Sequence, residues 1–193
     1  MKTMKKLFTI LLISISVLAF SQCPPNNPEG AGRNDKEKEL NREKNRSCAI
    51  FAGDVIDTLS IDSILKSGND MKRFSVRQLV TVTGYVTLQK YGGAESCNCH
   101  SKNKKDWDVH LEIGRHPNDI GVKAFIAEVT PLYSGRDKID WKSFVGKKVQ
   151  ITGYIFYDLE HTQNAFNTNP TGTNLWRATI VEIHPVINIV IIQ

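Results

Sequence analysis

The sequence predicts an all-β protein: a five-stranded Greek-key barrel with one short helix between its third and fourth strands, behind a flexible amino-terminal tail. Three observations lead there. From Val76 onward, β-branched and aromatic residues alternate with polar ones in five runs, divided by stretches rich in Gly, Pro and Asn. Two of the longer runs, Val80-Thr81-Val82-Thr83-Gly84-Tyr85-Val86 and Val149-Gln150-Ile151-Thr152-Gly153-Tyr154-Ile155, match in residue type at every position, each with a central glycine. Helical patterning in this half is confined to Ile139–Val145, which falls between the third and fourth runs.

Residues 1–21 read as a signal peptide. Lys2, Lys5 and Lys6 precede an apolar stretch from Leu7 to Phe20, too short to span a bilayer, and Ala19-Phe20-Ser21 offers a small-x-small cleavage site. Export to the periplasm or the exterior is expected, with no transmembrane anchor after cleavage. Cys23 makes a lipoprotein the less favoured alternative, because Phe20-Ser21-Gln22 lacks the small residue a lipobox needs before its cysteine. Cleavage removes three lysines and leaves 22 basic against 20 acidic side chains. The pI of 9.0 for the whole chain therefore overstates the basic character of the mature protein, which has no large field to steer polyanions.

Residues 22–48 form a charged tail, disordered or loosely helical. Prolines, glycines and asparagines open it. From Arg33 to Arg46, six basic and four acidic residues interleave at near-helical spacing, which suits a solvated spacer better than a nucleic-acid arm. Residues 49–75 form a helical lead-in, with Ser60 or Asp62 as cap for a short helix over Ile61–Leu65. The barrel occupies residues 76–193. Its strands are Leu79–Leu88, Val109–Ile113, Lys123–Thr130, Lys148–Tyr157 and Trp176–His184, with Asn188–Ile192 as a short sixth. A glycine in the middle of a long strand marks a bend, so Gly84 and Gly153 predict two strongly curved strands.

Strand count, helix position and the two curved strands resemble the OB-fold superfamily over Val76–Val186, with an open β-sandwich or SH3-like barrel as runner-up. The resemblance implies an oligonucleotide- or oligosaccharide-binding type of barrel whose ligands lie on the outer face of strands two and three and in the loops joining strands one to two and four to five. Here those loops are Lys90–Asp108 and Asp158–Leu175, the longest in the domain.

Both loops carry unusual chemistry. Four cysteines in an exported chain, Cys23, Cys48, Cys97 and Cys99, point to disulfides. A Cys97–Cys99 bond would close a strained ring, so pairings of Cys48 with Cys23, Cys97 or Cys99 are preferred. The alternative is zinc or another divalent metal on Cys97, Cys99 and His100; otherwise no cofactor is expected. Trp107 stands beside Lys102, Lys104 and Lys105, a pattern that suits phosphate and a stacked base or sugar. On strand two, Asp108, His110 and Glu112 share the polar face opposite Val109, Leu111 and Ile113. The last loop and strand add His161, Asn164, Arg177, Glu182 and His184, which read either as a ligand site or as a network closing the barrel.

Neither a GxSxG elbow nor a phosphate-cradling glycine loop is present in the sequence. Three functions remain open: a binding module for an oligosaccharide, single-stranded nucleic acid or protein; a metal-assisted phosphodiesterase; and a structural or interaction domain. Ligand-binding candidates are Trp107, His110, His161, Asn164, Arg177, Glu182 and His184.

Overall fold

The computed structural model describes residues 27–192, so the predicted leader, its cleavage site and Cys23 lie outside the described residues. The strands are β1 (Asp57–Leu59), β2 (Leu79–Tyr91), β3 (Val109–Gly114), β4 (Ala124–Val129), β5 (Lys148–Tyr157) and β6 (Val181–Ile191). They lie in the order β1-β2-β3-β4-β6-β5, and β5 pairs back onto β2. The result is a closed five-stranded OB-like barrel of mixed pairing: β4 and β6 run parallel, and β1 adds outside it, parallel to β2. The helical segment between strands three and four of the barrel is a pair of 3-10 turns, Arg136–Lys138 and Trp141–Phe144. No helix among the described residues is long and apolar enough to cross a membrane.

The alternation read from the sequence selects the core. Val109, Leu111 and Ile113 of β3, Phe125, Ala127 and Val129 of β4, and Val181 and Ile183 of β6 all point inward and pack together. Each of these side chains other than Ala127 contributes about 1.5–3 kcal/mol on leaving water.

The paired glycines do what their position suggested. Residues Leu79–Tyr85 of β2 pair with β5 and Tyr85–Tyr91 pair with β3, so the strand changes partner beside Gly84. Gly153 faces an irregular stretch of β6, where the register shifts on both sides of its pairing with Val186. A Cβ there would stand 2.4 Å from Ile183 Cγ2 and 2.5 Å from the Pro185 carbonyl oxygen. The missing N–H of Pro185 falls in this same irregularity, where a ladder bond is dispensable.

Two boundaries differ from expectation. The fifth strand starts at Val181 rather than Trp176 and runs through Pro185 to Ile191, absorbing the predicted sixth. Arg177 instead bridges Ala165 in the preceding loop, because its side chain is drawn to acidic partners there. The strand Asp57–Leu59 is too short to announce itself in the sequence.

The charged segment holds a helix, α1 (Asp35–Lys44), capped by the Asn34 side chain accepting from the Glu37 N–H at 2.9 Å. It lies on the barrel with Asn41 and Lys44 buried, not standing off as a solvated spacer. A second, four-residue helix, α2 (Ile61–Ile64), is capped by Ser60 as predicted.

Gly153→Ala is expected to lower the unfolding free energy by about 1–3 kcal/mol, since both obstructing groups belong to the barrel wall. A denaturant titration in which the midpoint falls at unchanged slope would check this, and an unshifted midpoint would refute the close approach.

Candidate functional site

The outer face of the β3–β4–β6 wall carries a buried polar cluster. Residues whose neighbours point into the core must point outward, so His110, Glu128, Glu182 and His184 share this face. Antiparallel pairing sets His110 directly opposite Glu128. The parallel register of β4 with β6, Ile126 beside Glu182 and Ala127 beside Ile183, brings Glu128 to His184. His110 Nε2 lies 3.1 Å from one Glu128 oxygen and His184 Nδ1 lies 2.8 Å from the other. Asp108, two residues before His110, joins them: one donor atom each from Asp108, Glu128 and His184 falls within 4.8 Å of the others.

A second group adjoins the first. Arg177 donates to Asp158 Oδ2 and to Glu182 Oε1, both at 2.7 Å, and its Nε donates to the Thr179 carbonyl. Asp158 also meets His161 Nδ1 at 2.5 Å. Glu182 Oε2, 3.8 Å from His184 Nδ1, links the two groups. Arg177, Glu182 and His184 are each 1 % exposed.

The chain itself covers this wall. The backbone carbonyl of Lys44, at the end of α1, accepts from His184 Nε2 at 3.0 Å. The Lys44 ammonium pairs with Glu95 at 2.8 Å. Ser96 Oγ donates to the side chain of Asn41, and Asn45 donates to the Cys97 carbonyl, tying the helix to the loop after β2. The polar face of β3 is therefore not the open ligand surface expected of it. Glu112 is buried too, its carboxylate accepting from the Gly121 N–H.

Acids outnumber permanent cations under this cover, and the titrations follow. Burial opposes charge on His184, but Glu128, Glu182 and Asp108 outweigh it and hold the imidazole well above its ordinary range. Burial likewise opposes charge on Glu128, yet His110, His184 and Lys44 keep it well below the usual carboxylate range. Asp108 is partly exposed as a residue, but its carboxyl is enclosed, and burial pushes it up to about 7 against the pull of His184 and His110. Asp158, although buried, is held far down by His161, Arg177 and Lys44. The Asp158 hydrogen bond raises His161.

Among the sequence-predicted residues, His110, His161, Arg177, Glu182 and His184 converge in this one network, which is closed over except at His161, whose side chain is 41 % exposed. Trp107 and Asn164 do not join it. Trp107 folds back on its loop, donating from Nε1 to the Ser101 carbonyl at 2.6 Å. Asn164 closes the next loop by donating to the Asn174 carbonyl. The cysteines are arranged differently from the expectation. Cys48 and Cys97 are free thiols and Cys99 is disulfide-bonded, so no pairing through Cys48 forms. Cys48 is instead turned to Thr130 Oγ1 at 3.4 Å, and Cys97 is buried against Glu95. Among the described residues the donors that converge are those of Asp108, Glu128 and His184, not of Cys97, Cys99 and exposed His100.

Glu128 and Lys44 were not anticipated. Glu128 had a signal, a lone acid in the otherwise apolar run Ala124–Val129. Lys44 had none, being one cation among many.

Open surface borders the covered wall at Trp176. The Lys90 ammonium lies 4.8 Å and the Arg177 guanidinium 5.3 Å from the centre of its indole ring, and the His161 ring meets it edge-on at 5.1 Å. Lys90 is exposed and Trp176 half-buried. Arg177 is committed to two carboxylates and has no exposed donor to offer a phosphate.

Arg177→Met is expected to destabilise the fold by about 3–5 kcal/mol, because Asp158 and Glu182 would stay buried without their cation. Chemical denaturation measures the loss, and a change below 1 kcal/mol would show that the pair is not a structural tie. Asp158 has a depressed folded pKa, so its contribution is present above its unfolded value near ~3.9 and is lost as pH falls toward the folded value. Asp158→Asn should therefore flatten the stability profile below about pH 4, and an unchanged acid limb would contradict the ion-pair geometry. Neither a known protein family nor a curated protein sequence matches this chain.

Proposed function

We propose that this chain is an exported OB-like binding module that takes a polar oligomer at the rim centred on Trp176. The observation that carries this reading is the grouping of a half-buried indole with an exposed lysine and a cation-prone histidine, at the border of a wall that the chain otherwise closes. An indole ring gives a sugar or base a stacking surface, and Lys90 and His161 give polar or acidic substituents a partner. The Asp158–Leu175 loop supplies further amides nearby. An oligosaccharide is favoured over nucleic acid, because the mature chain's near balance of basic and acidic side chains provides little counter-ion release.

The phosphodiesterase reading is weaker on this geometry. Its natural phosphate clamp, Arg177, is buried and fully engaged by Asp158 and Glu182. The network reading of Arg177 and Glu182 therefore has direct support in their contacts.

The test is equilibrium binding of the purified protein to an array of neutral and acidic oligosaccharides, with a thymidine oligomer alongside. Saturable sugar binding that Trp176→Ala weakens about 5- to 150-fold, the equivalent of ~1–3 kcal/mol for a lost stack, is the expected result. Binding of the thymidine oligomer alone, with steep salt dependence, would replace the saccharide by nucleic acid as the ligand. Saturable binding that ignores Trp176→Ala would remove the rim as the site.

A further inference from the structure

The geometry points to a divalent-cation site of the zinc class on the covered wall, built by Asp108, Glu128 and His184, with His110 beside them as a positioning residue on Glu128. Topology alone makes the set. Three neighbouring strands place His110, Glu128 and His184 in one row across the sheet, and Asp108 reaches the same face from two residues away. Donor atoms of Asp108, Glu128 and His184 fall within 4.8 Å of one another, and His110 Nε2 flanks them against Glu128. Metal–nitrogen and metal–oxygen bonds of about 2.0–2.2 Å put adjacent ligands roughly 3–3.6 Å apart. His110 Nε2 and His184 Nδ1 stand 3.1 and 2.8 Å from the two Glu128 oxygens, and Asp108 lies within 4.8 Å of Glu128 and His184.

The orientation of His184 is an independent sign. A backbone carbonyl can only accept, so the contact with the Lys44 oxygen fixes a proton on Nε2. That leaves Nδ1 as the nitrogen aimed into the cluster. A ring whose far N–H is fixed by a backbone carbonyl is the arrangement that metal-bound histidines have. His184 Nδ1 is buried and has no aligned hydrogen-bond partner despite its proximity to Glu128, and the same holds for His110 Nε2. One imidazole and two carboxylates match a borderline ion in tetrahedral coordination, with a fourth position left over, better than calcium or magnesium, which prefer oxygen alone. Glu182 Oε2, also without a hydrogen-bond partner, stands at the margin, held back by Arg177 through its other oxygen.

The experiment uses the ion alone and so does not depend on the rim or its ligand. The purified protein, stripped with chelator and dialysed, is titrated with Zn²⁺, with Ca²⁺ and Mg²⁺ as competitors, and with Co²⁺ to read ligand-field bands in the visible spectrum. The expected result is uptake of one Zn²⁺ per chain that excess Ca²⁺ and Mg²⁺ do not displace, with Co²⁺ bands of tetrahedral type lacking sulfur charge transfer. His110→Gln, at the more exposed edge of the cluster, should weaken uptake at least about tenfold while its circular dichroism stays that of the parent. Cys48→Ser and Cys97→Ser should leave uptake unchanged. Failure of the parent to bind one equivalent would overturn the site. So would uptake that survives both His110→Gln and Asp108→Asn, or that disappears in either serine variant. If His184→Gln does not fold, the His110 and Asp108 variants decide the matter.

Discussion

Glu128 is a carboxylate that a β-strand holds on the outer face of a barrel and that the rest of the chain then shuts away from water. A buried charge of this kind is tolerated only with partners, and its partners organise one side of the molecule. His110 comes to it from β3 and His184 from β6. Glu182 and Arg177 follow from His184, and Asp158 and His161 follow from Arg177. The register of three strands and the course of the Asp158–Trp176 loop are thereby tied to one chain of charges. A slip of one residue in any of these strands would turn its polar side chains into the core.

The helix α1 belongs to the same system. Its surface is a mixture of acids and bases that could be left in water, and its sequence offers no apolar stripe to bury. What it contributes is the Lys44 carbonyl for His184, the Lys44 ammonium for Glu95 and the Asn41 amide for Ser96 and its loop. The helix docks by satisfying polar groups rather than by burying hydrocarbon, which is why hydropathy does not reveal it. The wall an OB-like barrel would ordinarily present to a ligand is thus filled from within the chain, and the surface left open borders it at Trp176.

This division bears on chemistry. Acids, imidazoles and a guanidinium gathered in one place resemble a hydrolytic site when read as a set. In the structure the guanidinium is fully engaged and the imidazoles face carboxylates under cover. Such a cluster is suited to holding a small cation or to holding the fold, and it offers no open face to an oligomer.

The sequence by itself determined the barrel. Alternating runs, two curved strands marked by Gly84 and Gly153, and the helical turn before the fourth strand are local properties, and each strand's core face follows from its own period. It also determined that His110, Arg177, Glu182 and His184 are out of the ordinary, since polar residues on largely apolar strands stand out. Tertiary structure alone decided that they meet. Glu128 and His184 lie more than fifty residues apart and are joined by a parallel register, and Lys44 reaches them from a segment whose composition reads as solvent-facing. It also decided that Cys48 stays a free thiol beside Thr130, because distance and direction between thiols, not their number, determine pairing. Contacts between residues far apart in the chain leave no periodic trace in it, so the faces of the strands could be read from the sequence, and what covers them could not.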